Sequence, residues 1–157
     1  APGWRDAASV AVLGAGGAAR AAVEAVLGAG LCDIRVINRT LATAEALAAA
    51  AGDAVSAWGL ERTRDALDGA GVLIRAATGA EPPDLSPLRR GAAVLDMTYR
   101  PLRTPLLVKA EAAGLRPVDG LAMLIGQARP SFEALFGAPV PDIDVRAVAL
   151  AALEGQP

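Results

Sequence analysis

The chain has 157 residues, a formal net charge of −2 and an apolar fraction of 54%, with few aromatics. That length suits one domain with a small appendage; an acidic balance without a basic block gives nucleic acid no electrostatic footprint, and charges or glycines break every apolar stretch before the roughly 18 residues a membrane span needs. With no histidine, one lysine (Lys109) and one cysteine (Cys32), the chain itself excludes a Ser-His-Asp triad, an imidazole acid or base, a His-based metal site and an internal disulfide.

In chain order, Ser9–Leu13 reads as a buried strand. The turn Gly14-Ala15-Gly16-Gly17-Ala18-Ala19 fits G-x-G-x-x-A, in which the first glycine allows the tight turn, the second admits a pyrophosphate and the small last residue lets helix and strand pack closely. The helix that follows, Gly17–Leu27, packs through Ala21, Ala22 and Val26 and ends at Gly28-Ala29-Gly30. Asp33–Ile37 is the second strand. Thr40 is expected to cap a helix reaching Ala51. Ala54–Trp58 is a third strand, Arg62–Leu67 a short helix, Val72–Ala76 a fourth strand and Gly79–Pro87 a Pro-rich loop. Ala92–Met97 is the fifth strand. Thr104-Pro105 opens a helix as N-cap and first-turn proline, and it stops at Gly114. Leu115–Val118 is the sixth strand, Leu121–Phe136 a helix containing Pro130, and Asp142 starts a last helix to Leu153. Strand and helix alternate, so the fold class is α/β: a Rossmann-like, doubly wound, mostly parallel six-stranded sheet with helices on both faces. Residues 1–157 read as a single dinucleotide-binding domain, with 137–157 as a closing helical segment.

The end of the second strand bears on which dinucleotide is bound. NAD sites usually place an acidic residue there, on the ribose hydroxyls. Asp33 precedes the strand and is read as a solvated turn residue. The strand ends instead at Asn38-Arg39-Thr40, where Arg39 is expected to attract a 2′-phosphate that an aspartate would repel. NADP(H) is the expected cofactor.

These residues resemble the shikimate/quinate dehydrogenase family. Besides the glycine turn and Asn38-Arg39-Thr40, the resemblance rests on three segments: Asp96-Met97-Thr98-Tyr99-Arg100-Pro101 with Thr104-Pro105-Leu106-Leu107, Asp119-Gly120-Leu121-Ala122-Met123-Leu124, and Gln127-Ala128 with Phe132. It covers essentially the whole chain. It implies the C-terminal, NADP-binding half of a two-domain cytoplasmic enzyme of aromatic amino acid biosynthesis, in which an absent N-terminal domain holds shikimate and carries a catalytic lysine–aspartate pair. This chain does not open on methionine and reads as an excised piece, while Lys109 reads as an exposed helix residue. By resemblance, Gly14, Ala15, Gly16, Gly17 and Ala18 cradle the pyrophosphate; Asn38, Arg39 and Thr40 hold the adenosine end; Met97, Gly120 and Met123 lie by the nicotinamide; and Tyr99 and Gln127 reach the substrate. Thr43 and Thr78 complete the cofactor-binding set, and no metal is expected.

Three departures from the family pattern stand out. Thr43 replaces a frequent second arginine, which implies modest NADP selectivity. The fourth strand usually ends in N-A-T, but here Ala76-Ala77-Thr78 follows Arg75: the missing asparagine removes an amide for orienting cofactor or substrate, and the arginine is expected to alter local charge. Pro130 is expected to kink the helix carrying Gln127 or to begin a new one. The leading reading is 3-dehydroshikimate + NADPH ⇌ shikimate + NADP. The alternatives are a quinate or quinate/shikimate dehydrogenase with looser NAD/NADP choice, and a non-catalytic nucleotide-sensing module. A glutamyl-tRNA reductase-like domain is disfavoured by the Tyr99 and Gln127 segments.

Overall fold

A computed structural model describes residues 3–77, 79 and 81–154. Strand β1 (Val10–Leu13) leads through the glycine turn into α1 (Gly17–Gly28); β2 (Ile34–Asn38), α2 (Leu41–Ala51) and β3 (Val55–Gly59) complete one half. The second half runs α3 (Thr63–Leu67), β4 (Val72–Arg75), β5 (Ala93–Asp96), α4 (Pro105–Ala112), β6 (Arg116–Val118), α5 (Gly120–Phe136) and α6 (Val145–Glu154). The strands form one sheet in the order β3-β2-β1-β4-β5-β6, and every pairing is parallel. The expected mostly parallel sheet is therefore wholly parallel. Its order reverses between β1 and β4, where open α/β sheets leave a crevice beyond the strand ends.

The period-2 geometry of strands explains why the central segments are apolar throughout. Val10, Val12, Ile34, Val36, Val72 and Ile74 point to one face, against α1 and α2. Ala11, Leu13, Ile37, Leu73 and Val94 point to the other, against α3, the β4–β5 connection and α4. Alanine-rich helices lie close on such a sheet: α1 buries Ala19, Ala22, Val23 and Val26. Ala21 is exposed rather than in this packing stripe, because the buried set recurs at three- and four-residue spacing from Ala19. No described helix is long and apolar enough to cross a membrane.

Several local expectations change. Thr40 stands at the N-cap of α2, but its side chain makes no cap hydrogen bond; Asn38 Nδ2 instead donates to the Thr40 carbonyl at 2.9 Å. The last helix is capped by Asp144, which accepts from Ala147 N–H at 2.9 Å, because Asp142 lies a half-turn too early to reach the first helical amides. Pro130 sits inside α5, which continues as one helix to Phe136 rather than starting afresh. The proline withholds an amide from the exposed Gly126 region, and Ser131 Oγ donates back to the Gln127 carbonyl at 3.1 Å. Asp33 is not merely solvated: it forms an ion pair with Arg35 at 2.7 Å.

Asp119 caps α5, accepting from Ala122 N–H at 2.9 Å, and takes two hydrogen bonds from Arg146 of α6 at 3.1 and 2.6 Å. These bonds from Arg146, with help from the α5 amides, hold the Asp119 carboxyl below the usual carboxylate range. A depressed folded-state pKa contributes stability above the unfolded value and loses it as pH falls. Arg146→Met is thus expected to loosen α6 at neutral pH, with the difference from the unaltered chain starting to shrink near about pH 4 and lost as pH falls through the lowered range of the Asp119 carboxyl. The pair is part-exposed, so its contribution is on the order of 1 kcal/mol or less. Hydrogen exchange of the α6 amides against pH reads this out; an Arg146→Met effect that persists in acid would contradict it.

Candidate cofactor site at the strand order reversal

The glycine turn connects β1 to α1 beside the reversal point. Gly14 has φ +116° and is buried, and its amide donates to the Ile37 carbonyl at 2.8 Å. A Cβ there would lie 3.1 Å from the Ala77 amide nitrogen and 3.2 Å from Ala76 C. Both the dihedral and the approach of the post-β4 backbone require glycine. Gly16 differs. It is the α1 N-cap, with φ −83° and ψ −167°, a conformation open to any residue, and a Cβ there would meet no protein atom within 4 Å. Nothing in the fold asks for glycine at 16, and the space beside it is open.

The first turn of α1 carries no acidic residue and receives no side-chain cap. Its first intrahelical amide bond is Arg20 N–H to the Gly16 carbonyl at 3.0 Å. The amides of Gly17, Ala18 and Ala19 therefore have no helical acceptor, and they sit at the positive end of a helix of 12 residues. That arrangement suits a phosphate dianion.

Arg39 and Thr40 follow β2 directly, on the same edge of the sheet, and both are exposed. None of the ion pairs among the described residues involves Arg39. Asn38 is half-buried and holds the turn through its bond to Thr40. Thr43 is exposed one turn into α2. Thr78 lies outside the described residues. Lys109 is exposed, as expected. The described residues include no cluster of metal-ligating side chains.

Beyond the ends of β4 and β5 lies a crevice of 350 Å³, lined by Ala18, Arg75, Ala76, Met97, Tyr99 and Arg100 among others. A second, larger hollow of 500 Å³ lies between α1 and α5 on the sheet face, lined by Ala21, Ile74, Leu95, Met97, Met123 and Gln127 among others. Met97 borders both. Tyr99 belongs to the crevice, whereas Met123 and Gln127, four apart on α5, share the groove. The residues grouped by resemblance at the nicotinamide and substrate end are thus divided by Met97 between two neighbouring spaces. Gly120 is buried where α5 begins, and a Cβ there would come within 2.6 Å of the Met97 and Thr98 carbonyls. Its smallness is demanded by the loop after β5, which packs directly on the start of α5.

That loop is held by a buried network the sequence did not disclose. Asp96, the last residue of β5, is fully buried. Its carboxylate accepts from Thr98 N–H at 3.0 Å and from Thr104 Oγ1 at 2.7 Å. Arg75, its register partner on β4, brings Nη1 to 3.6 Å of Asp96 Oδ2. The arginine expected to alter local charge is buried and faces the Asp96 carboxylate, because residue 75 lies on the same sheet face as Leu73 and Asp96.

The model of the shikimate / quinate 5-dehydrogenase family matches residues 4–88, more than half of the chain. The chain belongs to this family. It is 51% identical over 158 aligned positions to the shikimate dehydrogenase (NADP(+)) of Caulobacter vibrioides strain NA1000 / CB15N, covering 96% of this chain and 55% of that protein. It superposes on the shikimate 5-dehydrogenase of Thermus thermophilus, solved with NADP(H) and shikimate, with TM-score 0.70 and 36% identity over 84% of this chain and 50% of that one. For the quinate dehydrogenase of Corynebacterium glutamicum, solved with NAD, the TM-score is 0.75 with 28% identity over 83% and 50%. The chain spans about half the length of the curated relatives it matches. Family membership accounts for the sheet order and the glycine turn together.

Proposed function

We propose that this chain is the NADP-binding half of a shikimate dehydrogenase that interconverts 3-dehydroshikimate and shikimate in aromatic amino acid biosynthesis. The observation that carries the reading is the pairing of an acid-free, uncapped α1 N-terminus with an arginine outside every described ion pair at the end of β2. Gly14 to Ala18 hold the diphosphate. Asn38, Arg39 and Thr40, with Thr43 beside them, hold the adenosine end, Arg39 taking the 2′-phosphate; Thr78 belongs to the same set. Met97, Gly120 and Met123 bound the nicotinamide, and Tyr99 and Gln127 face the substrate. The cofactor, when bound, supplies hydride transfer at nicotinamide C4. Residues 1–157 contribute its orientation and one wall of the cleft, and they carry no catalytic residue. Proton transfer belongs to a lysine–aspartate pair in an N-terminal domain that also holds shikimate. The enzyme works in the cytoplasm.

This division of labour has a direct test. Residues 1–157 should bind NADP yet produce no NADPH from shikimate. The full-length enzyme should reduce NADP with shikimate faster than with quinate, and faster than it reduces NAD with either acid. Shikimate oxidation by residues 1–157 alone would overturn the division. Preference of the full-length enzyme for quinate with NAD would favour the quinate reading, which the Corynebacterium likeness keeps in view.

A further inference from the structure

Two loops form the walls of the crevice: Ala76-Ala77 after β4 on one side and Met97 to Arg100 after β5 on the other. One side chain touches the supports of both. The Arg75 side chain is 7% exposed. Its Nε donates to the Ala77 carbonyl at 3.0 Å, and its Nη1 faces the Asp96 carboxylate at 3.6 Å. Asp96 in turn binds the start of the second loop through Thr98 N–H and its end through Thr104 Oγ1. Thr104 then caps α4, accepting from Leu107 N–H at 3.4 Å. Among the described residues no buried side-chain polar atom lacks a partner, so the network is complete rather than strained.

We propose that Arg75 is a positioning residue that sets the spacing of the crevice and so the binding of the nicotinamide half of the cofactor. Arg75 directly precedes Ala76-Ala77-Thr78, the segment matched to the family's N-A-T. A lysine brings a point charge without the planar fork needed to serve Asp96 and the Ala77 carbonyl together. The adenosine end, at Arg39 beyond β2, shares no member of this network. The guanidinium therefore acts on one half of a dinucleotide only. The inference rests on the reading of the crevice as the nicotinamide end of an NADP site.

The test compares two ligands on this chain by calorimetric titration: NADP⁺, which spans both ends, and adenosine 2′,5′-bisphosphate, which lacks the nicotinamide half. Arg75→Lys should weaken NADP⁺ on the order of tenfold, as for a lost charge-assisted hydrogen bond, and leave the bisphosphate within about twofold. Arg75→Met with Asp96→Asn, which leaves no unpaired buried charge, keeps the test available if a single variant folds poorly, and should show the same selective loss. An equal loss for both ligands would mean a merely structural role and would overturn the inference. So would an unchanged NADP⁺ affinity in both variants, or failure of both to fold. If the unaltered chain binds the bisphosphate and NADP⁺ equally, the crevice reading itself fails, and the inference with it. If it binds neither, the NADP reading fails too.

Discussion

Gly16→Val is expected to abolish useful cofactor binding while leaving the melting temperature within about 2 °C of the unaltered chain. Gly16 adopts an extended conformation with no steric demand for glycine, and a Cβ there points into open space. A valine side chain costs the fold little but fills the volume where a diphosphate would approach the amides of Gly17 and Ala18. Two charge-assisted bonds, at about 1.5–3 kcal/mol each, correspond to a loss on the order of a hundredfold or more in affinity. Gly14→Ala should behave in the opposite way. It forces an alanine to φ +116° against the Ala77 backbone, so it should lower stability by about 1–3 kcal/mol whether or not cofactor is present. Thermal melting with parallel titration separates the two. If Gly16→Val binds NADP normally, the amides at the start of α1 are not the diphosphate site.

Arg39→Ala should cost NADP about tenfold to a hundredfold in affinity and leave NAD unchanged. The guanidinium is exposed and no described ion pair engages it, so the substitution disturbs little in the protein. Its only expected partner is the extra phosphate that distinguishes the two cofactors. A charge-assisted bidentate contact supplies roughly 1.5–3 kcal/mol, and Thr43, in place of a second arginine, supplies no charge to compensate. Arg39→Asp adds repulsion and should invert the preference toward NAD. Equal weakening of both cofactors by Arg39→Ala would place the arginine elsewhere than on the 2′-phosphate. The same single cation predicts that raised ionic strength erodes NADP binding faster than NAD binding, since the phosphate contact is exposed to screening.

Much of this architecture is written locally. Alternating apolar runs and alanine-rich helical stretches are short-range signals, and they located each strand of the sheet to within a residue or two. Where local chemistry and a tertiary partner compete, residue type alone does not decide the outcome. Thr40 has the right residue type for a cap, yet Asn38 serves that turn. Asp142 likewise has the right residue type for a cap, yet the helix begins at Val145 and Asp144 serves it. Gly120 reads as a small residue near a ligand, and the backbone of Met97 and Thr98 places a demand of its own on it that local sequence does not show. The Arg75–Asp96 pair joins residues on different strands through register, and register across a parallel crossover is set by the whole intervening segment rather than by nearby residues. Met123 and Gln127 do share a helix face, as their spacing indicates. Their separation from Tyr99 by Met97 depends on how α5 packs beside α1, and no periodicity encodes that.

The central claim concerns where one nucleotide touches this chain, and amide chemical shifts report it residue by residue. On titration with NADP⁺, the amides of Gly16, Gly17 and Ala18 and those of Asn38 to Leu41 should move together at one saturating stoichiometry; with NAD⁺ the first group should move and the second should respond far less. Shifts confined to other segments, or an identical response around Arg39 to both nucleotides, would contradict the account.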